Sequence, residues 1–464
     1  MTATSPTPYV APDSARRVVP DSAPRVAVIG AGLAGIAASA ALGSAGFQVD
    51  LFEARPFPGG RATSWPVSSA DGDAGEVVDN CQHVLLRCCV NLLDLYRRLG
   101  VADKIRFHRE YYFIEPGGRT SVLKRGILPA PAHFAGSFLG LTFLDLPDKI
   151  AIARAMHAIP GDFRKRRDLD RITMLEWLLA KEQTANAIGR YWRPVLVSAV
   201  NEELDRMAAA HGLQVFWLGM LAKGDSYEMG LADVPLRELY DEAALTRDGN
   251  VRMHHRAPVD VIERSPDGRV AIRTGGERVD ADYFVSCLPF ERLQPLMPDL
   301  PVDWRAFGHS PITGIHLWFD RPITDLPHAT LLDRTIQWMF NKADGRYVQL
   351  VVSASRSLTP MPRAEVIDLA LRELAEFFPA AKNAVLEKAH VIKEVRATFS
   401  ALPGLESKRP PAVTRHANFF LAGDWTRSGW PATMEGAVRS GYIAAEAVAR
   451  AAGSPRHFLI PDIA

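Results

Sequence analysis

Charge of one sign, cysteine pairs and long apolar runs are all scarce in this chain. Lys plus Arg total 54 against 53 for Asp plus Glu, a formal charge of +1. The broad positive field of a nucleic-acid binder is therefore lacking, and no nucleic-acid partner is expected. The four cysteines, Cys81, Cys88, Cys89 and Cys287, make no C-x-x-C pair and no Cys/His spacing suited to tetrahedral zinc. Neither a disulfide framework nor a metal site is expected. The N-terminal stretch MTATSPTPYVAPDSARRVVPDSAP lacks the basic start and apolar core of a secretion signal. Residues 1–24 read as a disordered tail, and the protein as cytoplasmic. One segment, 126–144 (GILPAPAHFAGSFLGLTFL), carries no Asp, Glu, Lys or Arg, but it contains Pro129 and Pro131 and only marginally reaches the length of a membrane span. It reads as a membrane-surface or channel segment instead. Gly and Pro are at ordinary levels and no heptad is sustained, which excludes collagen-like and coiled-coil chains. What is left is a globular chain of 464 residues, long enough for two or three domains sharing a sizeable core.

The first ordered element is a β-branched run at 25–30 (RVAVIG), the pattern of a strand buried on both faces of a parallel sheet. An Ala- and Leu-rich helix follows at 34–46, then a strand at 47–52 closed by Glu53, which completes a βαβ unit. Turns are expected at 56–60 and 67–75, and a helix at 91–99. From about 146 to 240 the spacing is mostly helical, with helices at 149–159, 173–180 and 236–245. Strands return at 259–264 and 270–274 around the turn signal Asp267-Gly268, and at 283–287, 312–319, 347–353 and 391–398, with a helix at 364–377. The last segment repeats the opening grammar: a strand at 418–422, an exit at Gly423-Asp424 and a helix at 434–451.

Gly30-Ala31-Gly32-Leu33-Ala34-Gly35 fits G-x-G-x-x-G, and it leaves a strand to open a helix. Gly30 permits the tight turn, Gly32 lets the backbone approach a pyrophosphate, and Gly35 lets the helix pack on the strand. Together with Leu33 and Ala34 they direct free helix N–H groups at the negative charge. Glu53, about twenty residues on, suits a ribose hydroxyl and disfavours a 2′-phosphate. Ala54 and Arg55 follow it, and then Gly59-Gly60-Arg61-Ala62 offers a second approach to a diphosphate.

At this point the sequence resembles the FAD-dependent amine oxidase and phytoene desaturase superfamily, whose fingerprint is followed by a GGR segment. Leu421-Ala422-Gly423-Asp424-Trp425-Thr426 and the run from Thr433-Met434-Glu435-Gly436-Ala437 to Gly441 resemble its C-terminal flavin motif. The resemblance implies FAD as cofactor. It assigns Gly60, Arg61 and Ala62 to the diphosphate region, Gly423 and Asp424 to the ribityl or diphosphate region, and Thr433, Met434 and Ala437 to the flavin ring. Val259 takes the place of a valine whose backbone meets adenine. The implied fold is α/β: a glutathione-reductase-like FAD-binding Rossmann domain (25–100, 246–290 and 412–453) with a mixed-sheet substrate domain and helical cap (101–245 and 291–411).

A longer segment, from Val78-Asp79-Asn80-Cys81-Gln82-His83-Val84-Leu85-Leu86 through Cys88-Cys89 to Gly100, is more specific. With Gly59 to Arg61 and Gly75-Glu76 it resembles the hydroxysqualene dehydroxylases, the squalene-associated FAD-dependent desaturases of hopanoid pathways. Asn80-Cys81 departs from the Gly that many relatives carry. The resemblance implies reductive removal of an allylic hydroxyl from hydroxysqualene, an apolar C30 isoprenoid, to give squalene. Such chemistry needs a proton donor for the leaving oxygen and walls that exclude water. The candidate acids are His83 and Asp79; Gln82, Tyr112, Phe138, Arg396 and Trp430 are the candidate substrate contacts. Of Tyr111 and Tyr112, at most one faces the substrate, because neighbouring strand residues point to opposite faces. A substrate that lives in a bilayer suits a surface segment at 126–144 and the basic run Arg164 to Arg167, peripheral on the inner face of the cytoplasmic membrane. No second G-x-G-x-x-G is present, so the electron donor is left open. The rival readings are a carotenoid-type desaturase running hydride the other way, an amine oxidase with Trp318, Trp338 and Trp430 as a cage, and a non-enzymatic prenyl-lipid escort protein.

Overall fold

A computed structural model describes residues 23–67 and 76–464. Residues 1–22 of the expected tail, and the turn at 68–75 with Gly75, lie outside the described residues. Arg25–Ile29 is the central strand of a five-stranded parallel sheet in the order Val251–His254, Gln48–Phe52, Arg25–Ile29, Tyr283–Ser286, Phe419–Leu421. Val26, Ala27, Val28 and Ile29 are buried, as a strand covered on both faces requires. The chain leaves this strand toward one edge and returns on the other, so a crevice opens at the C-terminal ends.

Two helices close one side of the sheet. Leu33–Ser44 packs on Met434–Ala451, the last helix of the chain. A methyl group on Gly441 would lie 2.3 Å from the Ala34 carbonyl oxygen. That close approach locks the two ends of the sequence together.

The second layer is a seven-stranded mixed sheet: Leu386–Phe399, His309–Phe319, Tyr347–Ser353, Trp338–Ala343, His328–Leu331, Glu110–Ile114 and Thr120–Lys124. All neighbours are antiparallel except His328–Leu331 beside Glu110–Ile114. One face packs Ile315, Leu317 and Leu350 on Val366, Ala370 and Leu374 of the helix Arg363–Phe377. Helices Leu146–Lys165, Met174–Ala180, Arg193–Val200 and Ala209–Phe216 form the cap. The single helix expected at 236–245 is instead two short pieces, Leu236–Leu239 and Glu242–Thr246. Tyr240 leaves helical geometry, and Asp241 starts the second piece by accepting the Ala243 N–H at 2.9 Å.

The apolar stretch 126–144 is a loop followed by the short helix Ala135–Leu139. Leu141, Phe143 and Leu144 are buried, whereas Ile127, Leu128 and Leu139 are exposed. Among the described residues no helix is long and apolar enough to cross a membrane.

Candidate functional site

The crevice begins at Gly30, whose φ of 97° makes the turn from strand to helix. Gly32 is the N-cap of Leu33–Ser44 and provides no side-chain cap, so the first-turn N–H groups of Leu33, Ala34 and Gly35 are directed outward for an anion. Glu53 is buried and its carboxylate accepts the Ala31 N–H at 2.8 Å and the Arg55 N–H at 2.9 Å. It thereby fixes both the glycine turn and the exit through Ala54. Gly60 lies against Gly32, where a methyl group on it would be 3.0 Å from the Gly32 Cα, and the Arg55 guanidinium donates to the Gly60 carbonyl at 3.1 Å. Ala62 is buried below this turn. Val259 follows Ala257, whose N–H donates to the Glu53 carbonyl at 2.9 Å.

The C-terminal motif meets the same place. Arg61 pairs with Asp424 at 2.7 Å and donates to the Ala397 carbonyl at 2.7 Å. The Gly423 N–H donates to the Ser440 hydroxyl at 2.8 Å, and that hydroxyl donates to the Ala437 carbonyl at 2.6 Å. Thr433 caps the helix that begins at Met434, accepting the Gly436 N–H at 3.0 Å. Two glycine approaches, an uncapped helix start and an arginine at the junction fit a dinucleotide of the FAD type.

Asp79 ends the strand Glu76–Asp79, which pairs with Ser64–Val67 beyond the GGR segment, and His83 lies in the irregular stretch that follows. Asp79 accepts the Ser64 hydroxyl at 2.8 Å, the Leu236 N–H at 3.0 Å and the Lys342 ammonium at 2.9 Å. Burial alone would raise its carboxyl, but Lys342 and these hydrogen bonds outweigh burial and hold it below the usual range. Asp79 is thus an ionised anchor, ill suited to donate a proton. Lys342 also donates to the Gln82 amide oxygen at 3.1 Å. The His83 Nδ1 lies 2.9 Å from the Cys81 carbonyl, which can only accept, so the neutral ring carries its proton there and leaves Nε2 as an acceptor. Burial pushes the His83 pKa down, with Arg61 and Lys342 adding to the shift. At neutral pH His83 is a base.

The structure corrects other expectations. Tyr111, not Tyr112, faces the interior: Tyr111 packs with Cys81, Trp338 and Phe340, while Tyr112 lies on the opposite face and bonds Glu110 at 2.6 Å. Arg396 is exposed. Trp430 is buried and donates to Asp462 at 3.0 Å, which makes it a tether for the C-terminal segment. Phe138 is half-buried against Tyr191. The three tryptophans of an amine cage are separated in function, since Trp318 stacks on Tyr347, Trp338 on Phe340, and Trp430 holds Asp462.

Three residues escaped the sequence reading. Lys342 carries no local signal, because its partners are some 260 residues away. Arg409 is fully buried behind the loop 424–430, and donates to the backbone carbonyls of Asp424, Thr426 and Trp430. Glu435, inside the recognised motif, accepts the Leu92 N–H at 2.7 Å and the Asn91 amide at 2.8 Å, and so caps the helix Val90–Arg98 from a neighbouring helix.

Burial lifts the Glu435 pKa to about 7 against these bonds and Arg439. A folded-state value above the unfolded one stabilises below the unfolded pKa, and that contribution is lost as pH rises through the folded value. Glu435→Gln is therefore expected to flatten the fall in Tm between about pH 5 and 8. An unchanged pH slope in thermal unfolding would count against this assignment.

The chain is similar over nearly its whole length to carotenoid desaturases. A probable zeta-carotene desaturase of Synechococcus elongatus is 27% identical, covering 92% of this chain and 99% of its own. A 15-cis-phytoene desaturase of the same organism is 26% identical over 91% and 95%. Among solved structures, a putative protoporphyrinogen oxidase from Exiguobacterium shares the fold at a TM-score of 0.66 and 16% identity, covering 92% of this chain and 99% of its own. Cyclohexylamine oxidase from Brevibacterium oxydans does so at 0.61 and 17%, over 92% and 99%. The model of the family of flavin containing amine oxidoreductases matches residues 33–449, from the glycine turn through the C-terminal helix. This chain belongs to that family and is an FAD-dependent oxidoreductase.

Proposed function

We propose that the chain moves hydride between FAD and a long apolar isoprenoid, in the oxidising direction of a carotenoid-type desaturase. The observation that carries this reading is the apolar and aromatic face of the seven-stranded sheet, where Tyr111, Trp338, Phe340 and Val351 pack with Cys81 and Met229 beside the Asp79–His83 segment. Such walls suit a hydrocarbon and exclude water. The end-to-end likeness to carotenoid desaturases supports the same substrate class. Bound FAD supplies a two-electron hydride acceptor or donor. Desaturation also requires that a proton leave the substrate, and a neutral His83 with an open Nε2 suits that role.

The segment 82–86 favours a second reading, reductive dehydroxylation of hydroxysqualene. There an alcohol, two electrons and two protons give the hydrocarbon and water, and His83 must be loaded with a proton before it can act as the acid. The two readings have opposite pH signatures. Desaturation falls as pH drops through the lowered His83 pKa, and dehydroxylation rises. Oxidised holoenzyme with phytoene and anaerobically reduced holoenzyme with hydroxysqualene, with products identified by mass, decide between them. Desaturated product supports the first reading, squalene the second, and neither product refutes both.

The surface around 126–144 supports peripheral contact with the inner face of the cytoplasmic membrane. Ile127, Leu128, Leu139, Leu146 and Ile150 are exposed. Lys124, Arg125 and Arg154 are exposed nearby, and Lys149 bonds the Leu139 carbonyl at 2.8 Å. Apolar side chains ringed by cations fit an anionic bilayer. The protein is expected to sediment with anionic vesicles, and Ile127→Asp with Leu139→Asp to abolish this; sedimentation unaffected by the pair would refute the patch.

A further inference from the structure

A run of ring side chains leads inward from the 126–144 segment. Phe134 meets Tyr227 with centroids 4.7 Å apart, Tyr227 meets Tyr111 at 6.3 Å, and Tyr111 meets His328 at 6.2 Å. His328 lies 6.4 Å from Trp338 and 6.5 Å from Phe340. Cross-strand pairing sets His328 opposite Phe340 and Thr330 opposite Trp338. Lys342 follows two residues after Phe340, at the bulge where the register of that strand shifts, and holds Gln82 and Asp79. The run therefore leads from Phe134, in the segment that exposes Ile127 and Leu128, to the Asp79–Gln82 stretch beside the cofactor motifs.

Polar atoms along this run differ in one respect. The Tyr111 hydroxyl donates to the Tyr227 carbonyl at 2.6 Å, and the Trp338 indole donates to the Ser198 hydroxyl at 2.6 Å. His328 and Thr330 are 0% and 1% exposed, yet among the described residues neither ring nitrogen of His328 nor the Thr330 hydroxyl has a hydrogen-bond partner. Buried polar groups without partners are rare and costly, and two on adjacent positions of one strand face point to a partner that is supplied from outside. A saturated or polyene hydrocarbon cannot supply it. Burial, with His108 beside it, pushes the His328 pKa down to about 3, so the ring is neutral and offers one N–H and one lone pair. A neutral ring suits a hydroxyl or carbonyl oxygen and gives no charge for a carboxylate or phosphate.

We propose that His328, with Thr330 beside it, is an oxygen-binding subsite that makes the chain prefer an isoprenoid alcohol to the hydrocarbon of equal length. This rests on the second, dehydroxylation reading of the isoprenoid substrate above and names the residues that would set its selectivity. The test uses oxidised holoenzyme, so no turnover is needed. Hydroxysqualene and squalene are titrated separately from detergent micelles, and binding is read from the flavin absorbance. Wild type is expected to bind the alcohol about tenfold more tightly, the ratio given by roughly one net hydrogen bond. His328→Phe keeps ring volume and removes both nitrogens; its preference should fall to about unity with squalene affinity unchanged. Thr330→Val, nearly isosteric, should lower the preference in part, and it decides the matter should His328→Phe lose its flavin. An undiminished preference in the deciding variant overturns the subsite and leaves these polar atoms to buried water. Equal binding of both compounds by wild type overturns the subsite while the isoprenoid reading stands. Failure of both compounds to perturb the flavin removes the isoprenoid reading, and the subsite with it.

Discussion

Replacing Gly35 with valine is expected to yield protein without stoichiometric flavin and with activity below detection. A Cβ at this position would sit 1.9 Å from the Gly30 carbonyl oxygen and 3.1 Å from the Gly30 carbonyl carbon. Neither atom belongs to a flexible side chain, so the helix must move off the strand. The move displaces the N–H groups of the first turn, which are the chain's anion-binding donors. It also pulls on the last helix, because Ala34 carries the carbonyl against which Gly441 packs. The damage therefore reaches both cofactor motifs. Flavin absorbance per mole of protein after purification with added FAD measures this. Full flavin content in Gly35→Val would show that the turn is not where the diphosphate sits.

Arg409→Met is expected to cost about 3–5 kcal/mol, the range for removing one partner from a buried ionic network. The Arg409 side chain is 0% exposed. It pairs with Glu406 at 2.6 Å and donates to the carbonyls of Trp430 at 2.8 Å and Asp424 at 2.8 Å, to that of Thr426, and to the Ser428 hydroxyl at 3.1 Å. Methionine fills much of the volume but leaves these carbonyls unpaired in the interior. The loop they belong to holds Asp424 against Arg61, so FAD affinity should fall with stability. Arg409→Lys should rescue little, since one ammonium cannot spread over carbonyls that a planar guanidinium reaches together. Thermal unfolding with and without excess FAD gives both effects. A Tm within a degree or two of wild type would remove Arg409 from the account.

What was legible beforehand follows the range of the interactions. The glycine turn, Glu53, the GGR segment and the Gly423-Asp424 exit are local backbone devices, and each declared itself in a handful of neighbouring letters. Strands at 312–319 and 347–353 showed as apolar β-rich runs. The strand His328–Leu331 did not, because it is only four residues long and one of its two buried faces carries a histidine and a threonine, which leaves just Ala329 and Leu331 as aliphatic signal. Alternation correctly allowed only one of Tyr111 and Tyr112 to face inward, but the period has no sign. Only the packing of Tyr112 toward the Arg363–Phe377 helix decided which.

Roles set by electrostatics were the least readable. Asp79 and His83 were sound candidates as residue types, yet an acid is an acid only at its own pKa. Lys342, some 260 residues away, makes Asp79 an anchor, and the Cys81 carbonyl with burial makes His83 a base. The sequence by itself determined the cofactor class and the βαβ frame, because glycine conformations and an acid at a strand end act through the backbone within one unit. The tertiary structure alone decided which charges meet, which aromatic face lines the interior and which buried polar atoms go unpaired. Those are properties of groups brought together across hundreds of residues, and no local spacing records them.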